Sequence, residues 1–275
     1  MFQSNSLNRL VIPQSMFRLD TPPQLPNCGH KFGNFWNYYT FNPPSERLRH
    51  IADGLRTSLS TINTPTPTPT PTNTPTNTPI HFLYSDIGCN SGDLSIELSN
   101  LLQQITKLPV SLLGIDIDEV LIAKANSKPP SQGHVTHKFV AIDVVAESST
   151  FLSTMDSFGV CDFVSCFSTT MWVHLNYGDE GLLKFLDLLI SSTRNYLLIE
   201  PQENRSYRNA NKRLRKMGAD EFDLASFQLR LGEGGVEERI RRHIVESGFV
   251  EVPFEADTTT HWGRTLSLYQ KINQI

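Results

Sequence analysis

Short apolar runs and longer segments of helical periodicity alternate along the chain after residue 79. The apolar runs predict strands at residues 81–86, 110–116, 137–143, 160–167 and 195–200, and a final antiparallel pair at 249–254 and 266–272. The segments with apolar positions three or four residues apart predict helices at residues 93–106, 119–126, 179–192, 204–217 and 237–247. This alternation predicts an α/β fold in which helices cover both faces of a mostly parallel sheet.

The loop after the first predicted strand has the sequence SDIGCNSGDL and spans residues 85–94. Gly88 and Gly92 let the backbone turn sharply and allow a ligand to approach the main chain closely. Asp86 ends the strand, and the helix after the loop directs its amino terminus to the same crevice. The loop therefore predicts a nucleotide-cofactor site, although two glycines also serve ordinary strand-turn-helix connections.

Two further aspartates end predicted strands, Asp116 at the second strand and Asp143 at the third. Together with Asp86 they are expected to meet, because the carboxyl ends of parallel strands lie at one edge of a sheet. A carboxylate is an acceptor and can take two donors at once, which suits a polar cofactor. Each aspartate alone could equally cap a helix or stabilise a turn, so the prediction depends on all three together.

The composition narrows the class of protein. The chain has 275 residues, of which 39% are hydrophobic and 19% charged, and its net charge of −4 gives no global sign of nucleic-acid binding. No apolar run approaches the roughly 18 residues of a membrane span. Cys28, Cys89, Cys161 and Cys166 lack the spacing of a metal site or of a disulfide framework. We therefore expect no metal, reduced thiols and a cytoplasmic location.

Two segments depart from the α/β pattern. Residues 1–30 are expected to form a flexible N-terminal segment before a domain at 31–275, with a faint likeness to a transit peptide. Residues 64–79, TPTPTPTPTNTPTNTP, cannot form a core and predict an extended, looped-out insertion. The alternative is a proline-rich ligand for a recognition domain, although the tract lacks flanking basic anchors.

Three motifs together identify a family. The run CFSTTMWVHLNYGDEGL lies at residues 166–182, FGNF at 32–35 and LLIEPQ at 197–202. The FGNF motif is extended by Tyr38, Phe41, Pro43, Pro44, Arg47 and Leu48. From residue 32 to the C-terminus, apart from the Thr/Pro tract, the chain resembles the bicoid-interacting family of RNA 5′-phosphate methyltransferases.

The resemblance implies a seven-stranded, mostly parallel, Rossmann-like methyltransferase fold with S-adenosylmethionine as the cofactor. It assigns the methionine carboxylate to Arg47, the ribose hydroxyls to Asp116 and the adenine amino group to Asp143. Without the family, Arg47 would be interpreted as a solvated arginine on a helix. The cofactor-binding residues implied by the resemblance are Arg47, Asn90, Asp116, Asp143, Val144 and Phe167. Asp86 and Gly88 of the glycine loop, and Ile117 after the second strand, complete the predicted cofactor site.

The implied reaction is methylation of an RNA 5′-phosphate, with Tyr38 and His174 as the candidate catalytic residues that orient it. A phosphate monoester has a second pKa of about 6, so no strong general base is required at neutral pH. Family members that act on longer 5′-phosphate ends have a lysine where this chain has Met171, which favours the monophosphate branch. The resemblance suggests histidine tRNA and precursor microRNA as substrates. As an alternative, His174 could be a histidine buried beside Trp172.

A positively charged surface for a small RNA is predicted on the helix at 204–217, which contains no acidic residue. Contacts to the phosphate backbone would hold the RNA there, and the protein is expected to act as a monomer. The alternative is a solvated helix face. The predicted RNA-binding residues are Arg205, Arg208, Lys212, Arg213, Arg215 and Lys216.

Three other functions remain open on the sequence alone. They are methylphosphate capping of 5′-triphosphate small nuclear RNA, methylation of a protein or small molecule, and RNA binding without catalysis. The intact glycine loop and the three strand-end acids argue against the last, because a binding module has no need of a cofactor.

Overall fold

The computed structural model describes residues 29–59, 81–129, 134–253 and 258–272. Its strands are β1 (Phe82–Ile87), β2 (Val110–Asp116), β3 (Val135–Ala141), β4 (Cys161–Phe167), β5 (Thr193–Glu200), β6 (Phe249–Val252) and β7 (Ser267–Lys271). Its helices are α1 (Gly29–Phe32), α2 (Tyr38–Phe41), α3 (Pro44–Leu59), α4 (Asp93–Thr106), α5 (Glu119–Asn126), α6 (Ser148–Phe158), α7 (Thr170–Ser192), α8 (Asn204–Lys216) and α9 (Gly235–Glu246), with a 3₁₀ turn at Gln228–Arg230. The predicted N-terminal segment, as far as residue 28, and the Thr/Pro tract lie outside the described residues.

The described strands form one seven-stranded sheet with the order β3-β2-β1-β4-β5-β7-β6. β1 to β5 are parallel, whereas β7 runs antiparallel between β5 and β6. The chain adds β2 and β3 on one side of β1 and then returns to place β4 on the other side. This arrangement creates a topological switch point between β1 and β4, where ligands of open α/β sheets bind.

Alternate strand residues supply two apolar clusters, one on each face of the sheet. In β4, Val164 packs in the cluster with α6, α7 and α9, and Phe163 packs in the cluster with α3, α4 and α5. Leu59 at the end of α3 and Phe82 at the start of β1 belong to the same cluster. The helix before the Thr/Pro tract and the strand after it are therefore parts of one folded unit.

The predicted helices and strands differ from the structure chiefly at α3, α6, α7 and β3. The apolar pattern predicts neither α3 nor α6. The apolar periodicity of α6 is weak, because this helix is rich in Ser and Thr and buries only Phe151 and Met155. α7 begins at Thr170 because it includes a helical segment that the sequence does not predict. Gly178, with φ 70° and ψ −171°, separates that segment from the one predicted at residues 179–192. The third strand ends at Ala141 and not at residue 143, so Asp143 lies two residues beyond it.

Three further findings in the described ranges concern the cysteines, metal binding and membrane-spanning helices. Cys89, Cys161 and Cys166 are free and buried, and burial raises the pKa of each thiol. Across these ranges, no three His, Cys, Asp or Glu side chains are grouped so that they could hold a metal ion. None of the described helices combines the length and apolar character that crossing a membrane requires.

Candidate active site

A cavity opens at the carboxyl ends of β1, β2 and β4, at the topological switch point of the sheet. It contains about 900 Å³ of empty space, counting the solvent at its mouth, and it lies where open α/β sheets bind their ligands. Every cofactor-binding residue predicted from the sequence lines this cavity, and so does the candidate catalytic residue Tyr38. The lining cofactor candidates are Arg47, Asp86, Gly88, Asn90, Asp116, Ile117, Asp143, Val144 and Phe167.

The glycine loop forms part of the cavity wall. Gly88 has a φ of +84°, and a Cβ at this position would lie 2.0 Å from the Thr169 hydroxyl oxygen, so a larger residue would not fit. Asn90 also has a positive φ, of 52°. Its main-chain N–H donates to Asp116 Oδ2 at 2.7 Å, and its side-chain oxygen accepts from the Ser91 N–H at 2.8 Å. These bonds fix the loop against the end of β2.

The three acids have different environments. Asp86 is fully buried and accepts hydrogen bonds from the hydroxyls of Ser95 and Ser165, the latter at 2.6 Å. Asp116 accepts from main-chain N–H groups only, and its side chain lines the cavity. Burial raises the pKa of both carboxyls to about 6. Asp116 therefore has acceptor capacity left for a ligand, whereas Asp86 holds β1, α4 and β4 together.

Asp143 is held by the start of the segment that leads to α6 and by α7. Its Oδ1 accepts from the N–H groups of Val145 and Ala146 at 3.1 and 3.0 Å, and its Oδ2 accepts from the Tyr177 hydroxyl. Burial, together with the hydrogen bond to Asp143, raises the pKa of Tyr177. Asp143 therefore stabilises a turn, which is the alternative that its sequence position allowed.

The FGNF motif packs over the cavity. Phe32, Gly33 and Asn34 line it, and two asparagines from later in the chain anchor this segment. Asn90 Nδ2 donates to the Phe35 carbonyl at 3.1 Å, and Asn176 Nδ2 donates to the Lys31 carbonyl at 2.9 Å. Asn90 therefore attaches the upstream motif to the glycine loop, a contact that the sequence alone does not reveal.

Arg47 is the centre of a buried polar cluster. Its Nε and Nη2 atoms lie 2.8 and 2.6 Å from Glu200 Oε2, and both side chains are 0% exposed. Nη2 also donates to the Tyr38 hydroxyl at 2.6 Å and to Ser168 Oγ at 3.0 Å. Trp262 Nε1 donates to Glu200 Oε1 at 2.9 Å, and the guanidinium lies 4.8 Å from the Trp262 ring centroid. Arg47 Nη1, although buried, has no partner among the described residues.

Four residues of this cluster were not predicted as site residues. They are Ser168, Glu200, Trp262 and Arg264. The LLIEPQ motif is a signal for Glu200, because it ends the fifth strand at the same edge as Phe167. Arg264 carries no such signal, since it lies alone in the loop before β7.

His174, the other candidate catalytic residue, is not among the cavity-lining residues. It is fully buried, and its ring nitrogens are bonded to the Tyr207 hydroxyl at 2.9 Å and to Asp179 Oδ1 at 2.6 Å. Burial lowers the pKa of His174, which favours the neutral ring. The structure thus places His174 in the contact between α7 and α8, and it has no free nitrogen for a phosphate.

Met171 is also absent from the cavity lining and belongs to the apolar core. Its side chain is 2% exposed, and its main-chain N–H donates to Gln202 Oε1 at 3.0 Å. The interpretation that a neutral residue here selects a smaller phosphate charge therefore has no support from the position of this side chain.

The predicted RNA-binding residues all lie on α8 and are exposed. Arg205 pairs with Glu203 at 2.9 Å and Arg215 with Glu221 at 2.7 Å. Arg213 packs over the rings of Phe35 and Trp172, at 5.2 and 5.6 Å from their centroids. The other three, Arg208, Lys212 and Lys216, form no ion pair with a described residue.

The strand order, the glycine loop after β1 and the acids after β2 and β3 define the fold of the S-adenosylmethionine-dependent methyltransferases, as predicted. The family model described as "Bicoid-interacting protein 3 (Bin3)" matches residues 161–271. The chain is 33% identical to "Pre-miRNA 5'-monophosphate methyltransferase" of Xenopus laevis over 266 residues, which are 93% of this chain and 98% of that protein. The protein described here belongs to the bicoid-interacting family, and the prediction of this family is confirmed.

Two further relatives mark the range of the family. "RNA 5'-monophosphate methyltransferase" of Rattus norvegicus is 35% identical over 91% of this chain and 86% of its own length. "U6 snRNA methylphosphate capping enzyme Amus" of Drosophila melanogaster is 32% identical over only 52% of this chain and 48% of its own length. The likeness to the monophosphate methyltransferases thus extends over far more of the chain.

Proposed function

We propose that this protein transfers a methyl group from S-adenosylmethionine to the 5′-monophosphate end of a small RNA. The observation that carries the proposal is one cavity that combines a nucleotide-cofactor wall with a guanidinium group and two hydroxyls. Acids and a glycine loop form the first part, and Arg47, Tyr38 and Ser168 form the second. The names of the relatives that cover most of the chain support the same activity.

The residues present fit the cofactor. Asp116 accepts only two main-chain N–H groups and has free acceptor capacity for ribose hydroxyls. Arg47 Nη1 is a buried donor without a partner, as expected if a carboxylate binds there. We propose that Asp143, Val144, Ile117 and Phe167 complete the cofactor site. When bound, S-adenosylmethionine would supply the methyl group, so that a C–O bond to the phosphate replaces the C–S bond of the cofactor.

The chain has little proton chemistry to perform, because a phosphate monoester is largely deprotonated at neutral pH. Its residues must instead position the phosphate and exclude water. Tyr38 is suited to orient the phosphate, because its hydroxyl lies at the cavity and is polarised by Arg47 at 2.6 Å. We propose that His174 acts indirectly by holding α7 to α8 through Asp179 and Tyr207.

The exposed cations of α8 are proposed to contact the RNA backbone, since three of them have no carboxylate partner among the described residues. Histidine tRNA and precursor microRNA stay predictions for the RNA, as does the monomeric state. The cytoplasm stays the proposed compartment, supported by the buried free thiols. A single domain at 31–275 with a looped-out insertion at 64–79 is proposed because α3 and β1 pack in one cluster.

Transfer of labelled methyl groups to matched RNAs tests the proposal. One RNA sequence is prepared with a 5′-monophosphate, a 5′-triphosphate or a 5′-hydroxyl end and incubated with S-adenosylmethionine. We expect incorporation into the monophosphate RNA above the triphosphate RNA, and none into the hydroxyl RNA. Equal labelling of the hydroxyl RNA would refute phosphate methylation, and preferred labelling of the triphosphate RNA would favour the capping reaction. The Asp116→Asn variant is the control for dependence on the cofactor site.

A further inference from the structure

The hydroxyl of Ser168 is surrounded by more donors than it can accept. Arg47 Nη2 lies at 3.0 Å, the Tyr38 hydroxyl at 3.3 Å, and Arg264 Nη1 is also within hydrogen-bonding distance. The same hydroxyl donates to Glu200 Oε2 at 2.8 Å. A hydroxyl oxygen has two acceptor lone pairs, so Arg264 shares Ser168 with the other donors, and its side chain has no further hydrogen-bond acceptor among the described residues. Arg264 therefore has N–H groups available for an acceptor beside the cavity.

The cluster also carries more positive than negative charge. Glu200 is bonded to Arg47, and both are fully buried, so these two charges compensate each other. Arg264 has no carboxylate partner among the described residues, and neither has Arg213. Desolvation lowers the pKa of Arg213, and the positive charge of Arg264 lowers it further. A bound anion would oppose both effects.

Both arginines are held in place at the border of the cavity. Arg213 packs over the ring of Trp172, which lines the cavity. Arg264 belongs to a tight turn in which its N–H donates to Thr260 Oγ1 at 3.2 Å and its carbonyl accepts from the Thr260 N–H at 2.8 Å. Trp262 anchors this turn through its bond to Glu200. The guanidiniums are thus preorganised, which lowers the cost of binding.

We propose that Arg264, with Arg213 beside it, forms the subsite that binds the 5′-phosphate of the RNA, and that Arg264 determines the preference for a phosphorylated end. This inference rests on the proposed function. A phosphate monoester carries about −1.5 to −2 charges at neutral pH, which matches two unpaired guanidiniums. Its oxygens also supply the missing acceptors, and a guanidinium can bind two of them at once. Arg47 is less suited, because Glu200 pairs with it and its free Nη1 is proposed to bind the methionine carboxylate of the cofactor.

Equilibrium binding to RNA with different 5′ ends tests this subsite. A fluorescent RNA with a 5′-monophosphate and the same RNA with a 5′-hydroxyl are titrated in the presence of S-adenosylhomocysteine, which prevents turnover. We expect the wild-type protein to bind the phosphorylated RNA more tightly. In Arg264→Gln the ratio of the affinities for the two RNAs should fall by about 10- to 100-fold. If the wild-type ratio is smaller than this, the variant should bind both RNAs equally. In Arg264→Lys it should be partly retained, because charge remains without the fork of donors. Arg213→Gln should reduce it less.

Control experiments distinguish the loss of the phosphate subsite from misfolding and from a failure of the proposed function. Arg242→Gln, an exposed arginine on α9, should keep the wild-type preference. Calorimetry should show that Arg264→Gln binds S-adenosylhomocysteine with wild-type affinity. A lower affinity for S-adenosylhomocysteine would overturn the inference, because it would assign Arg264 to the cofactor. An unchanged end preference in Arg264→Gln, in a protein that methylates the monophosphate RNA, would refute the subsite alone. A wild-type protein with neither preference nor methyl transfer would refute the proposed function.

Discussion

The buried ion pair between Arg47 and Glu200 allows a quantitative prediction. Glu200→Gln keeps the shape of the side chain but removes its charge, which leaves the guanidinium of a 0% exposed arginine without a carboxylate. Removing one partner of a buried pair costs about 3–5 kcal/mol of unfolding free energy. In a domain of this size each kcal/mol lowers Tm by about 2–4 °C. We therefore expect Glu200→Gln to lower Tm by roughly 6–20 °C.

A double-mutant cycle shows whether the effect comes from the pair itself. Arg47→Met removes the charge that Glu200→Gln leaves uncompensated, so the double variant should lose less stability than the sum of the single variants. We expect a coupling free energy of at least about 1 kcal/mol, because the two groups are in direct contact. Urea unfolding followed by circular dichroism measures all four proteins.

An exposed ion pair on the same helix is the matched control. Arg56 and Asp53 are 2.8 Å apart, with side chains 55% and 90% exposed. Asp53→Asn should change the unfolding free energy by less than about 1 kcal/mol. If Glu200→Gln were as mild as Asp53→Asn, or if the double-mutant cycle showed no coupling, the assignment of Glu200 as the counter-charge of Arg47 would be wrong.

Three further predictions concern the cofactor, the tract and the RNA surface. Burial raises the pKa of Asp116 to about 6, and the ionised carboxylate is the form that accepts ribose hydroxyls. The affinity for S-adenosylhomocysteine measured by calorimetry should therefore fall as pH decreases through about 6. An equal pH dependence in Asp116→Asn would exclude this residue as the cause. Deleting residues 64–79 should leave methyl transfer largely intact, because α3 and β1 already pack together, and loss of turnover in a folded deletion variant would contradict the looped-out insertion. Changing Arg208, Lys212 and Lys216 together to Gln should reduce the slope of log affinity against log salt by about 2–3, and an unchanged slope would remove these residues from the RNA surface.

Much of the fold could be predicted from local patterns. The apolar runs located every strand to within about two residues, and α4 and α5 have the predicted bounds. α6 was missed because its Ser- and Thr-rich sequence shows little apolar periodicity. The first segment of α7, which begins at Thr170, was not predicted, whereas the helix boundary predicted after Gly178 agrees with the non-helical backbone of this glycine.

The candidate site was predictable where it depends on strand ends. Asp86 and Asp116 each follow from a local signal, because the sequence shows where parallel strands end and the sheet brings those ends to one edge. Asp143 reaches the same cavity from two residues beyond its strand. His174 shows the limit of this reasoning, since its place in a family motif suggests a role at the substrate while its nitrogens bind Asp179 and Tyr207.

The sequence by itself determined the α/β fold, the glycine loop and the acids, because these depend on the order of residues within one strand, turn and helix. Only the tertiary structure decided how the polar cluster around Arg47 and Ser168 is built. Arg47 and Glu200 are 153 residues apart in the chain, and Ser168 and Arg264 are 96 apart. Their partners are set by strand order and helix packing, which no local pattern records. The charge balance that distinguishes Arg264 from Arg47 exists only once these distant residues are in contact.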